Sequence, residues 1–275
     1  TGGSGSIVLR TTAGAITLND GSDADDTAIS ANGSGNILIQ AQGTGSDITA
    51  GADMVSGSGN VSVLAARSLV LSGTADIRTS STSAGSGSID AVAGTGGITQ
   101  SATSLITSTG ATATARLVAG TDVTVGDIVL GTGKVSITAT AGAILDADSS
   151  NDVEQNITAS ALRLNAGMGI AQSANHLETT VGTLSARAGD GSIYVLEADA
   201  LTVGDVGLSV NRVGSDASTT TANSLDAVQS DVRTTGGNGA IVLRTTAGSL
   251  TLSDGNADGV AIARYGKEVS LHHCR

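Results

Sequence analysis

The sequence predicts an all-β chain coiled into a single parallel β-helix (a β-solenoid) of roughly ten coils. Three observations carry the prediction: proline is missing, glycine is abundant, and short alternating strands recur behind glycine corners. No proline stands in 275 residues, where average usage would place roughly 14. Proline cannot donate to a β-ladder, so its absence suits a chain whose N–H groups nearly all bond to a neighbouring strand. The 39 glycines supply the corners. There is no Phe or Trp, and the apolar content is almost wholly Ala, Val, Ile and Leu. Repeated aliphatic layers fill a narrow rod, whereas a globular centre normally takes large aromatics.

Taken in order, the corner-and-strand motif occurs at Gly5–Leu9, Gly35–Ile39, Gly59–Val63, Gly87–Ile89, Gly133–Ile137, Gly191–Val195 and Gly239–Leu243. A second strand follows about nine residues on at Ala15–Leu18, Ser68–Leu71 and Ser249–Leu252. Period-two alternation points Ile7, Leu9, Ile16 and Leu18 inward, and Arg10 and Thr17 outward. The motif spacing suits coils of two or three short strands. At about 4.8 Å per coil, the rod is on the order of 50 Å long. Ile7, Ile37, Val61, Ile89, Val135, Leu164, Ile193 and Ile241 are expected to stack as aliphatic ladders. Loops are expected to leave the corners at Asp20–Thr27, Thr79–Ser86, Asp146–Gln155 and Ser215–Ser224. No segment shows sustained helical periodicity.

A longer repeat overlies the short one. Thr1–Gly21 and Thr235–Gly255 share sixteen of 21 residues at an offset of 234. Residues 1–263 therefore read as one repeat segment, slightly more than a single super-repeat of a larger array. Residues 264–275 break the pattern as an atypical tail. The chain opens in mid-pattern without an initiator Met and reads as a piece of something longer.

The net charge of −12 and only two lysines, Lys134 and Lys267, leave no basic stripe for nucleic acid or an anionic membrane surface. No apolar run is long enough for a membrane span, so no membrane insertion is expected. The single cysteine, Cys274, allows no internal disulfide. These features together suit an extracellular or bacterial cell-surface location.

Candidate sites are few. Asp20, Asp23, Asp25 and Asp26 gather carboxylates that calcium favours, yet lack the spacing of an EF-hand loop; a solvated loop is the expected reading and calcium the alternative. Glu178, Glu197 and Asp199 invite a paired-carboxylate reading, as in glycoside cleavage. They are expected to be solvated surface acids, with 197 and 199 on one strand face. His176 is expected at the surface or in a loop. His272, His273 and Cys274 are adjacent, and adjacent residues cannot all reach one ion easily. Threonine-rich stretches suggest an ice-binding face, but outward positions vary among Thr17, Leu38, Ser62, Asp90 and Ser136. Catalytic residues, a cofactor and a metal are not expected.

The repeated glycine corners, Ala161–Leu164, and the run from His176–Thr179 to Gly191–Val203 resemble the shafts of filamentous-haemagglutinin-like giant surface proteins of Gram-negative bacteria. The likeness covers about residues 1–263. It implies a right-handed parallel β-helix, export and adhesion, and supplies no catalytic residues. The expected function is a non-catalytic shaft segment of a large repetitive adhesin or filament. Its partners would be host or surface glycans, or other copies of itself. A β-helix carbohydrate-active enzyme or carbohydrate-binding module is the alternative, with an ice-binding module behind it.

Overall fold

Glycine-led corners and period-two strands close into three parallel ladders, in a computed structural model describing residues 3–83, 85–148, 154–221, 224–265 and 272–273. No helix occurs among the described residues. The first ladder stacks Ile7–Thr11, Ile37–Ala41, Val61–Ala65, Ser88–Ala93, Thr114–Ala119 and Lys134–Ala139. The second stacks Ile16–Leu18, Ile48–Ala50, Leu69–Leu71, Ile98–Gln100, Val123–Val125 and Ile144–Asp146. The third stacks Thr27–Ala31, Asp53–Ser56, Ile77–Ser80, Leu105–Thr109 and Asp127–Val129. The chain visits the ladders in that order, so each circuit gives one strand to each. Farther on, Ile157–Ala166 and Leu177–Ala188 bend round a corner unbroken, their first halves on the third ladder and second halves on the first. A parallel sheet so nearly closed on itself fits a β-solenoid.

The core is a set of columns rather than a layer. On the third ladder Met54, Ile77, Ile106, Ile128 and Ile157 lie in register and fully buried. Burying each such side chain stabilises the fold by about 1.5–3 kcal/mol. Ile7, Ile37, Val61, Ile89 and Val135 share one first-ladder column, through Ala115. Leu164 belongs to the neighbouring column, opposite Ile137, while Ile193 and Ile241 continue the second ladder above Ile170. At the corners backbones approach too closely for side chains: a Cβ on Gly189 would lie 1.9 Å from the carbonyl O of Gly167.

Near the C-terminal end the cross-section changes. Ile193–Glu197 covers the second and third ladders together, with Ile193 on Ile170 and Glu197 on Thr179. The first ladder divides instead: Leu201–Val203 lies on 183–184 and Val232–Thr234 on 186–188. Between these two half-strands, residues 205–221 and 224–230 leave the stack. The loop expected at Ser215–Ser224 is thus the far end of a longer excursion, and the excursion is an antiparallel hairpin. Val206–Ser209 pairs with Leu225–Gln229, and Arg212–Val213 with Thr219–Thr220. Beyond it Ile241–Thr245 returns to the parallel stack on Ile193–Glu197. The backbones of His272 and His273 pair with Arg244 and Thr245, while Lys267 and Cys274 lie outside the described residues.

Candidate functional site

The hairpin folds back along the first ladder as a strap. It leaves the shaft opposite Ser185, where the middle outward column of that ladder ends. That column reads Leu38, Ser62, Asp90, Arg116, Ser136, Arg163 and Ser185, all in register. The strap hydrogen-bonds along it. Ala217 O accepts from Asn36 Nδ2 at 3.0 Å, Ser62 Oγ accepts from Val213 N at 2.9 Å, and Ser88 Oγ accepts from Asn211 N at 2.9 Å. Arg212 Nε sits 2.5 Å from Asp90 Oδ2, and Arg116 Nη1 sits 3.1 Å from Asp90 Oδ1. Arg116 Nε also reaches Asp226 Oδ1 at 3.0 Å, and Ser136 Oγ donates to Asp226 Oδ2 at 2.6 Å. Arg163 Nε donates to Ala227 O, and Gln229 Nε2 to Leu164 O. Burial pulls the Arg163 guanidinium below its ordinary value, opposed by Asp226.

The strap explains why outward positions are buried. Leu38, Ser62, Asp90 and Ser136 have at most 1 % of their surface exposed. Val206, Leu208, Val210 and Val213 of the strap are buried, while Leu225 and Val228 are exposed at 66 % and 67 %. Asp90 therefore sits out of water between two arginines, a geometry in which removing one partner typically costs about 3–5 kcal/mol. The variation among Thr17, Leu38, Ser62, Asp90 and Ser136 comes from mixing two faces. Thr17 belongs to the second ladder, whose outward column is Thr17, Thr49, Val70, Thr99, Thr124 and Leu145. That column is one residue wide, and among the described residues no strap crosses it.

Two expected surface acids are buried instead. Glu197 is fully buried, because its place in the alternation Ile193, Val195, Glu197 turns it inward above Thr179 and the isoleucine column. Its carboxyl accepts from Thr179 Oγ1 at 2.7 Å and Val181 N at 3.1 Å, and burial pushes its pKa up to about 7. Asp199 lies past the strand end, exposed, so the two do not share a face. Glu178 is 1 % exposed, and its N–H donates to Asn156 Oδ1 at 2.9 Å. His176 is also buried, stacked on Tyr194 with ring centroids 5.5 Å apart, and burial lowers its pKa.

Asp146 is in register with Val125, and burial there pushes its pKa up to about 6. It lines a pocket of about 300 Å³ with Asp148, Gln172 and Asn175. In the acidic loop, one oxygen each from Asp20, Asp23 and Asp25 lies within 4.8 Å of the others. Asp26 is not part of that group; its Oδ2 accepts from Thr74 Oγ1 at 2.7 Å. Three carboxylate oxygens are about half of the six to eight that calcium takes. The repeat's second copy of this loop differs: Asp254 Oδ2 accepts from Gly259 N at 2.6 Å, and Asp231 reaches over to accept from Gly255 and Asn256. No family model, no curated protein and no solved structure matches the chain.

Proposed function

We propose that this chain is a non-catalytic shaft segment of a large, repetitive bacterial surface or secreted adhesin or filament. It is a right-handed coil of roughly ten turns on the order of 50 Å long. The observation that carries the reading is the seat of Ile241–Thr245, the second copy of Ile7–Thr11. It stacks on Ile193–Glu197 as one more parallel rung, so the repeat prolongs the ladder rather than starting a new body. The resemblance of residues 1–263 to filamentous-haemagglutinin-like shafts agrees with it. In this role the ladders resist extension, the strap ties rungs together, and the acidic surface keeps rods apart. Its partners are glycans or further copies of itself, and its location is the cell surface or outside. Electron micrographs of the isolated chain test the proposal: rods about 50 Å long support it, and round particles refute it.

A second reading, a carbohydrate-active module, draws on the pocket holding Asp146 and Asp148. Its lining includes no aromatic platform for a sugar ring. Polysaccharide breakdown that is lost in Asp146→Asn would favour this reading over the shaft.

A further inference from the structure

Strands that are equivalent by the 234-residue repeat do not occupy the same ladder. Ile7–Thr11 begins the first ladder, but its copy Ile241–Thr245 lies over the merged second and third. Ile16–Leu18 begins the second ladder, but its copy Leu250–Leu252 sits on Leu201–Val203, within the first. The copy of Thr27–Ala31 is represented by Ile262–Ala263, which sits on Val232–Thr234, also within the first. The first face thus divides into the next repeat's second and third faces, and the old second and third fuse into its first. The new corner opens opposite Ser185, where the strap departs.

From these registers we propose that another copy of the repeat docks beneath Ile7–Thr11, and that each such joint turns the shaft by half a revolution. Successive straps then lie on opposite sides of the rod. The inference rests on the shaft reading above. Its occupant is set by the copy already in place. Ile241 and Leu243 are 3 % and 1 % exposed on their seat over Ile193–Glu197. The segment that seats Ile7–Thr11 in the same way is a copy of Ile193–Glu197, Leu201–Val203 and Val232–Thr234. Eight third-ladder steps separate Thr27–Ala31 from Ile241–Thr245. Adding the part-circuit from the first ladder gives about eight and a half coils per repeat, or about 40 Å. A half-integral number of coils and a half-turn are the same statement.

The test is a tandem chain with residues 1–234 placed ahead of the full 275, Cys274→Ser throughout, and Val228→Cys in each repeat for a small thiol-reactive gold label. A straight rod with the two labels on opposite sides, about 40 Å apart along its axis, is expected. Labels on the same side of a straight rod overturn the half-turn and leave the shaft standing. Two bodies joined by a hinge overturn both. In the 275-residue chain itself, again with Cys274→Ser, spin labels at Thr17→Cys and Thr251→Cys provide a second readout. A half-turn sets them farther apart than the axial rise of about 40 Å, and a separation equal to that rise overturns the proposal.

Discussion

Two faces of the same stack, each over its own inner aliphatic column, differ in what their outer residues do. The second ladder shows solvent a bare column of Thr17, Thr49, Val70, Thr99, Thr124 and Leu145, good strand formers that need no partner. The first ladder carries Ser62, Asp90, Arg116, Ser136 and Arg163, whose charges are bridged by Arg212 and Asp226 of the strap. Of these two outward columns, the charged one is covered and the threonine one open. The strap converts a row of separately stackable rungs into one bound unit.

The sharpest way to break this contrast is at Asp90. Asp90→Ala removes the charged hydrogen bonds of Arg212 and Arg116 to one buried carboxylate, leaving Arg116 with Asp226 alone. At about 1.5–3 kcal/mol each, denaturant titration is expected to show a loss of about 3–5 kcal/mol. Thr99→Ala on the bare face is expected to lose under about 0.5 kcal/mol. Equal losses at the two sites would erase the distinction between the faces.

Next in size is the buried acid inside the stack. With its folded pKa raised to about 7 from an ordinary 4.5, the Glu197 carboxyl favours the native state most when protonated. Stability is then full below about pH 4.5, declines as pH rises to about 7, and is flat above; the total fall is about 3 kcal/mol. Asp146, pushed up to about 6, adds to the same slope. Glu197→Gln is expected to flatten most of that slope in denaturation series across this pH range. An unchanged slope would place Glu197 in water.

Smaller effects belong to the exposed chemistry. Millimolar calcium is expected to raise the melting temperature by less than about 1 °C, since three carboxylates leave a calcium shell half made. A rise of several degrees that vanishes in Asp23→Asn would make the loop a metal site. The bare threonine column is expected to give no thermal hysteresis, being one residue wide and interrupted by Val70.

The inner columns were legible because alternation behind glycine corners reads directly as inward and outward. The strap was not. Its strands are as short as any coil strand, and Gly204, Gly207 and Gly214 look like ordinary corners; only long-range pairing separates antiparallel from parallel. A signal did exist in the outward series Ser62, Asp90, Ser136, too small and too charged for a bare wall. Glu197 was legible too, since its parity matches Ile193 and Val195. Reading it as a surface acid let the usual solvation of charge override the alternation.

Cross-linking the strap tip to the shaft tests the account most directly. In a Cys274→Ser background, Asn36→Cys and Ala217→Cys lie 181 residues apart in sequence, yet the Asn36 side chain reaches the Ala217 carbonyl at 3.0 Å. A short bismaleimide should join them within one folded molecule, quickly and at low protein concentration. If both thiols stay free and separately reactive while the protein remains folded, the strap does not lie where its hydrogen bonds put it.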